Sequence, residues 1–272
     1  MLTENSFDTG TLTINYAEST DNGHPFVFLH GGTARWQELT PLYTELERHW
    51  HVYACDMRGH GKSDRADAYR AVDFSTDTTA FIKNHIRAPV VLLGHSGGAI
   101  AALGTAAQIP KLIRALIVLD PPIYLREESI QSNYVYNIFA GMYSFLTHQR
   151  TSHDVFPELF PDMDEAGIQY LEESLQQVDP EFVRVLIEDR YFEGLDAQSI
   201  LKKVTCPTLL LYGEIEKGSV VRESDVEFML AHISHGTAIQ IKAAGHLLHV
   251  DQPARVLELI AEFTNELAGG RQ

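Results

Sequence analysis

A chain of 272 residues, 44% hydrophobic and 21% charged, has material for one substantial core, which excludes global disorder and fits a single α/β domain. Its 21 Lys and Arg against 37 Asp and Glu leave a formal charge of −16, so nucleic acid and anionic membrane surfaces, which attract basic patches, are not expected partners. No apolar run approaches the roughly 18 residues of a membrane span, and Met1 to Asp8 has neither the basic nor the apolar part of a secretory signal. Cys55 and Cys206 lie in or beside strand-like runs and read as buried thiols, in keeping with a cytoplasmic location.

Along the chain, residues 11–17 alternate with period two and predict an antiparallel edge strand. After the turn at Asp21-Asn22-Gly23, Phe26 to Leu29 is a buried strand ending at His30-Gly31-Gly32. A helix is expected over about 36–48, then a strand at His51 to Cys55, then the glycine-punctuated loop Asp56 to Ser63. A second helix over about 74–86 precedes the apolar run Val90 to Leu93, which leads through Gly94-His95-Ser96-Gly97-Gly98 into a small-residue helix ending near Gln108. Ala115 to Leu119 is another strand and stops at Asp120-Pro121-Pro122. Strands alternating with helices up to this point imply an α/β fold built on a mostly parallel, doubly wound sheet. From about 123 to 197 that rhythm stops, and the segment, rich in Tyr and Phe and helical in period, reads as an inserted helical cap. Strands at 208–212 and 237–241 and a helix over about 253–268 complete the core, so residues 1–122 and 198–272 form one domain and 123–197 its lid.

The chemistry concentrates at Ser96. A buried strand that turns sharply into a helix between glycines is the pattern of a nucleophile elbow, which exposes the serine hydroxyl at its tip. The N–H of Gly97, at the start of the helix, points to where an oxyanion would form. Serine needs a base, and His246 is the best placed of 13 histidines because it follows the last strand, on the same sheet rim as Ser96, and comes last in chain order. The carboxylate that orients it is either Glu216, past the strand ending at Tyr212, or Asp120, at the end of the preceding strand, with Glu214 a weaker third. His249, three residues beyond His246, reads as structural.

His30-Gly31-Gly32, Asp56 to Ser63, Gly94 to Gly98, Tyr212 to Glu216 and Gly245-His246 occur in an order and spacing that resembles the α/β-hydrolase superfamily over essentially the whole chain outside the lid. The resemblance implies an enzyme that acts through an acyl-enzyme on a small or medium apolar ester, thioester or related carbonyl compound, without metal or organic cofactor. It further implies Gly32 as the second oxyanion donor, with Thr33 as the donor if the loop is shifted by one, and it favours Glu216 as the acid. The loop from Asp56 and His30 are expected to be structural. Thr33, His95, Tyr124, Phe139 and Tyr143 are expected to line the substrate site. The partner is a small molecule, and the protein a monomer or homodimer. Competing readings are acyl transfer, carbon–carbon bond cleavage, perhydrolysis or lyase chemistry on the same residues, and a hydrolase-like receptor for a small ligand.

Overall fold

The computed structural model describes residues 2–126, 128–132, 134–161 and 163–269. Eight strands form one sheet: β1 (Thr3–Asp8), β2 (Thr13–Glu18), β3 (Pro25–Leu29), β4 (His51–Cys55), β5 (Val90–His95), β6 (Ile113–Leu119), β7 (Thr208–Tyr212) and β8 (Gly236–Gln240), in the spatial order β1-β2-β4-β3-β5-β6-β7-β8. The pairs β1–β2 and β2–β4 are antiparallel and every later pair is parallel. The period-two strand is therefore one in from the edge, and the edge itself is β1. That strand, Thr-Glu-Asn-Ser-Phe-Asp, is almost wholly exposed and carries no apolar alternation, so only its backbone pairing with β2 makes it a strand.

The central strands are apolar on both faces because helices cover both. Val27, Leu29, Leu92, Leu116 and Val118 face a core with α2 (Ala71–Phe81), α3 (Gly97–Gln108), α8 (Ala197–Lys203) and α9 (Glu223–His232). Their neighbours Phe26, Phe28, Val91, Leu93, Ile117 and Leu119 face α1 (Thr40–Leu46), α10 (Leu248–Asp251) and α11 (Pro253–Gly269). Cys55 and Cys206 are buried free thiols.

Between β6 and α8 the described residues form no strand; short 3-10 turns lead into α4 (Tyr134–Leu146), α5 (Ser152–Leu159), α6 (Glu165–Leu175) and α7 (Pro180–Ile187). This helical segment is tied to the sheet and its loops. The Asp179 N–H donates to Gly59 O at 2.8 Å, the Tyr69 hydroxyl donates to Asp179 at 2.7 Å, and Phe182 packs edge-on to His60 with ring centres 4.5 Å apart. Among the described residues, no helix is long and apolar enough to cross a membrane.

The loop after β4 is braced by buried polar contacts. Asp56 accepts from Asn15 Nδ2, Trp36 N and Lys62 N at 2.7, 2.8 and 3.0 Å, and Arg58 forms a two-pronged pair with Asp77 of α2 at 2.6 and 2.7 Å. Such a loop holds shape for its neighbours.

Candidate active site

Ser96 stands between β5 and α3 with φ 51° and ψ −119°, a conformation that L-residues rarely adopt and that persists only where surroundings enforce it. Gly94 and Gly98 enforce it here. A Cβ on Gly94 would lie 2.2 Å from Gly98 O, and one on Gly98 would lie 2.4 Å from His30 O, so two glycines let backbone pack against backbone on either side of the serine.

The loop His30-Gly31-Gly32 follows β3. His30 and His60 shape it, each with Nδ1–H donating to a carbonyl and Nε2 accepting a backbone N–H: Met57 N at 2.9 Å for His30, Thr33 N at 3.2 Å for His60. Burial pushes both imidazoles down, His60 to about 3, which keeps them neutral and able to accept. Because the Thr33 N–H is committed to His60, the one-residue shift of the loop is not adopted. The Gly32 N–H donates to no acceptor among the described residues, and a Cβ on Gly97 would come within 3.7 Å of Gly32 N. Gly97 is the first residue of α3, where an N–H has no partner within the helix. Two free backbone donors thus lie close together beside Ser96.

Against the expectation for Glu216, the structure brings Asp120 to His246. Glu216 is exposed on the short turn Ile215–Lys217, whereas Asp120, fully buried with φ 44°, meets His246 Nδ1 at 2.7 Å through Oδ2. The loop bearing Glu216 supplies donors to Asp120 instead: Gly213 N at 3.2 Å, Ser219 Oγ at 2.6 Å and Val220 N at 2.9 Å. Burial opposes ionisation of Asp120, but His246 and these donors outweigh it and hold the carboxyl below its usual range. Glu214 braces the Ala243 N–H at 2.9 Å. Asp120 can fill this position because β6 lies next to β5 in the sheet, with Ser96 N donating to Leu119 O at 2.9 Å.

His95 is a second correction. Its side chain is 1% exposed and sits beneath the elbow, with Nδ1 3.2 Å from Glu38 Oε1 and Nε2 2.9 Å from His246 O, so it cannot line a substrate site. Tyr124 is buried against the Arg222 guanidinium, 5.3 Å from its ring centre, and Thr33 is buried too, its hydroxyl donating to Gly32 O. Phe139 and Tyr143 of α4 are half-buried. Tyr191, from the end of the insertion, reaches over the elbow and donates to Gly97 O at 3.2 Å. Glu38 and Ser219 were not anticipated; neither lies in a motif, and their neighbours at the site are 57 and 99 residues away in sequence.

A family model described as the alpha/beta hydrolase family matches residues 26–259. The 2-(acetamidomethylene)succinate hydrolase of Mesorhizobium japonicum is 32% identical over 126 residues, 46% of this chain and 45% of that one. The (E)-2-((N-methylformamido)methylene)succinate hydrolase of Acinetobacter baylyi is 25% identical over 259 residues, 90% of this chain and 91% of that one. Among solved structures, an N-formylmaleamic acid deformylase from Pseudomonas putida superposes with a TM-score of 0.80 at 18% identity, covering 95% of this chain and all of the other.

Proposed function

The chain belongs to the alpha/beta hydrolase family of enzymes, and from that premise we propose that it is a serine hydrolase that cleaves a small ester or amide through an acyl-enzyme. The observation that carries this reading is the buried Asp120 carboxylate on His246 Nδ1 at the sheet rim that also bears the strained Ser96. Asp120 holds the imidazole as the Nδ1–H tautomer, leaving Nε2 to accept a proton. Ser96 Oγ attacks the substrate carbonyl carbon while His246 takes the hydroxyl proton, and the carbonyl oxygen becomes an oxyanion held by the N–H groups of Gly32 and Gly97. Collapse breaks the bond to the leaving alkoxide or amine, which receives the proton from His246. Water, deprotonated by the same histidine, then releases the acid and restores Ser96.

The helical insertion would act as a lid whose α4 side chains select the acyl group. The relatives named as hydrolases of 2-(acetamidomethylene)succinate and (E)-2-((N-methylformamido)methylene)succinate support including carboxylate-bearing amides among the substrates. Arg35, two residues beyond Thr33, is the candidate cation, since its buried Nε has no acceptor among the described residues while Nη2 pairs with half-exposed Glu173 at 3.2 Å. A fluorophosphonate probe should label wild type once per chain and leave Ser96→Ala unlabelled, with esters and N-acyl amides, neutral and carboxylated, turned over only by the former. Unchanged labelling or turnover in Ser96→Ala would overturn the proposal.

A further inference from the structure

Beneath the elbow lies a cluster that the reaction just described does not use. Glu38, from the 3-10 turn Trp36–Leu39, accepts the Gly31 N–H through Oε2 at 2.7 Å and faces His95 Nδ1 through Oε1 at 3.2 Å. His95 Nε2 in turn lies 2.9 Å from the carbonyl of His246. The peptide carbonyl only accepts, so Nε2 donates to it; with Glu38 ionised, Nδ1 donates as well and His95 is the imidazolium.

We propose that Glu38 and His95 are a buried ion pair that positions the two halves of the active site, the carboxylate holding the oxyanion loop at Gly31 and the doubly donating imidazolium holding the His246 backbone. The proposal rests on the serine-hydrolase reading of Gly32 and His246. Its physical content is pre-organisation: Gly31 precedes the oxyanion donor Gly32, His95 precedes the nucleophile, and His246 is the base, so one pair of side chains fixes three parts of the site against one another. A Cβ on Gly31 would lie 2.8 Å from His95 Nδ1, which keeps that position free for the contact.

The charged groups around His95 agree. Facing it are Glu38, His249 of α10, His246, Asp120 and His30. Burial disfavours its charge, but Glu38, the His246 carbonyl and Asp120 outweigh that and raise its pKa, while Glu38, opposed by burial, is drawn well below the carboxylate range by His95. His249, packed edge-on to His95 with ring centres 4.8 Å apart, is pushed down to about 3 by burial and by the cation beside it. Glu38, His95 and His249 also present ligand atoms within 4.8 Å of one another. Two of the three groups already bond each other, His95 Nδ1 lying 3.2 Å from Glu38 Oε1.

The test begins with the wild-type protein labelled with ¹⁵N-histidine, the His95 resonances being assigned by their loss in His95→Gln. At pH 8 both ring nitrogens of His95 should carry protons, and Glu38→Gln, which keeps an acceptor for Gly31 but removes the charge, should leave one. In the same variant kcat for a p-nitrophenyl ester should fall about 100-fold with KM little changed, the pattern of lost transition-state positioning. A neutral His95 at pH 8 in wild type overturns the ion pair whether or not Glu38→Gln folds. A folded Glu38→Gln with kcat within about threefold of wild type overturns the positioning role. Uptake of one Zn²⁺ per chain, abolished in His249→Ala, overturns both in favour of a metal site. Failure of the serine reading is distinct, since it appears as absent fluorophosphonate labelling in wild type.

Discussion

Asp120 shows how much one side chain can depend on its surroundings. Its four donors, from Gly213, Ser219, Val220 and His246, fill both carboxylate oxygens and leave the His246 ring one orientation. In the proposed reaction, exchange for asparagine removes the charge that would stabilise the imidazolium and presents an N–H where an acceptor is needed. Steady-state kinetics of Asp120→Asn should therefore show kcat lower by about 10⁴, and Glu216→Gln, altering an exposed turn, should stay near wild type. The reverse ranking would refute the assignment. The elbow glycines make a comparable prediction. In Gly98→Ala the added methyl meets the backbone oxygens of His30 and Leu29, which cannot swing aside as a side chain could, so thermal unfolding should show a loss of about 1–3 kcal/mol and fluorophosphonate labelling should slow.

At the scale of elements, the site is held by joints between segments. The buried Arg58–Asp77 pair fastens the loop after β4 to α2, with Arg58 Nη1 also donating to Ala68 O at 2.9 Å. In Asp77→Ala the guanidinium is left buried without its counter-charge, and urea denaturation should register a loss of about 3–5 kcal/mol. A change below 1 kcal/mol would mean that water reaches the arginine. The insertion between β6 and α8 has a different part. Its Phe182 packs on His60 and its Tyr191 on Gly97, yet it contributes no side chain to the Ser96, His246 and Asp120 set. Phe139→Ala and Tyr143→Ala on α4 should reorder kcat/KM across a series of acyl lengths while Ser96 labelling rates change little. Uniform loss across the series would point to a general packing defect.

For the molecule as a whole, buried histidines govern the response to acid. His30, His60 and His249 are each fully buried and held neutral, so each takes up a proton on unfolding once the pH drops below the ordinary value near 6.5. The unfolded state then binds more protons than the native one, and stability falls with acidification by about 1.4 kcal/mol per pH unit for each histidine, continuing toward pH 3 for His60 and His249. Asp120 and Glu38, both lowered, add a further loss below about pH 4. His95 has the opposite sign. Its raised pKa contributes stability below 6.5 that fades as the pH rises through its native value. Urea midpoints should accordingly drop steeply from pH 6 to 4, and a flat profile there would show that these rings take up protons in the folded state.

Much of this protein follows from sequence because its signals are local. The apolar runs of β3, β5, β6 and β7 are buried on both faces, so they stand out from their neighbours whatever they pack against. The elbow is legible for the same reason: a strand, a serine between glycines and a helix are contiguous, and the steric demand at Gly94 and Gly98 acts within a few residues. Strand β1 escaped such reading because its polar side chains carry no period and only β2 makes it a strand. Which carboxylate meets His246 escaped it as well. Glu216 and Asp120 are both carboxylates just past strand ends, and nothing local separates them. What decides is lateral order in the sheet, which sets β6 beside β5 and turns the donors of the next loop toward Asp120. The same holds for Glu38 and His95, whose pairing joins residues 57 positions apart. Side-chain type and local pattern determine which elements form and where chemistry can sit; which charged groups meet depends on distances through space, and only the folded chain sets those.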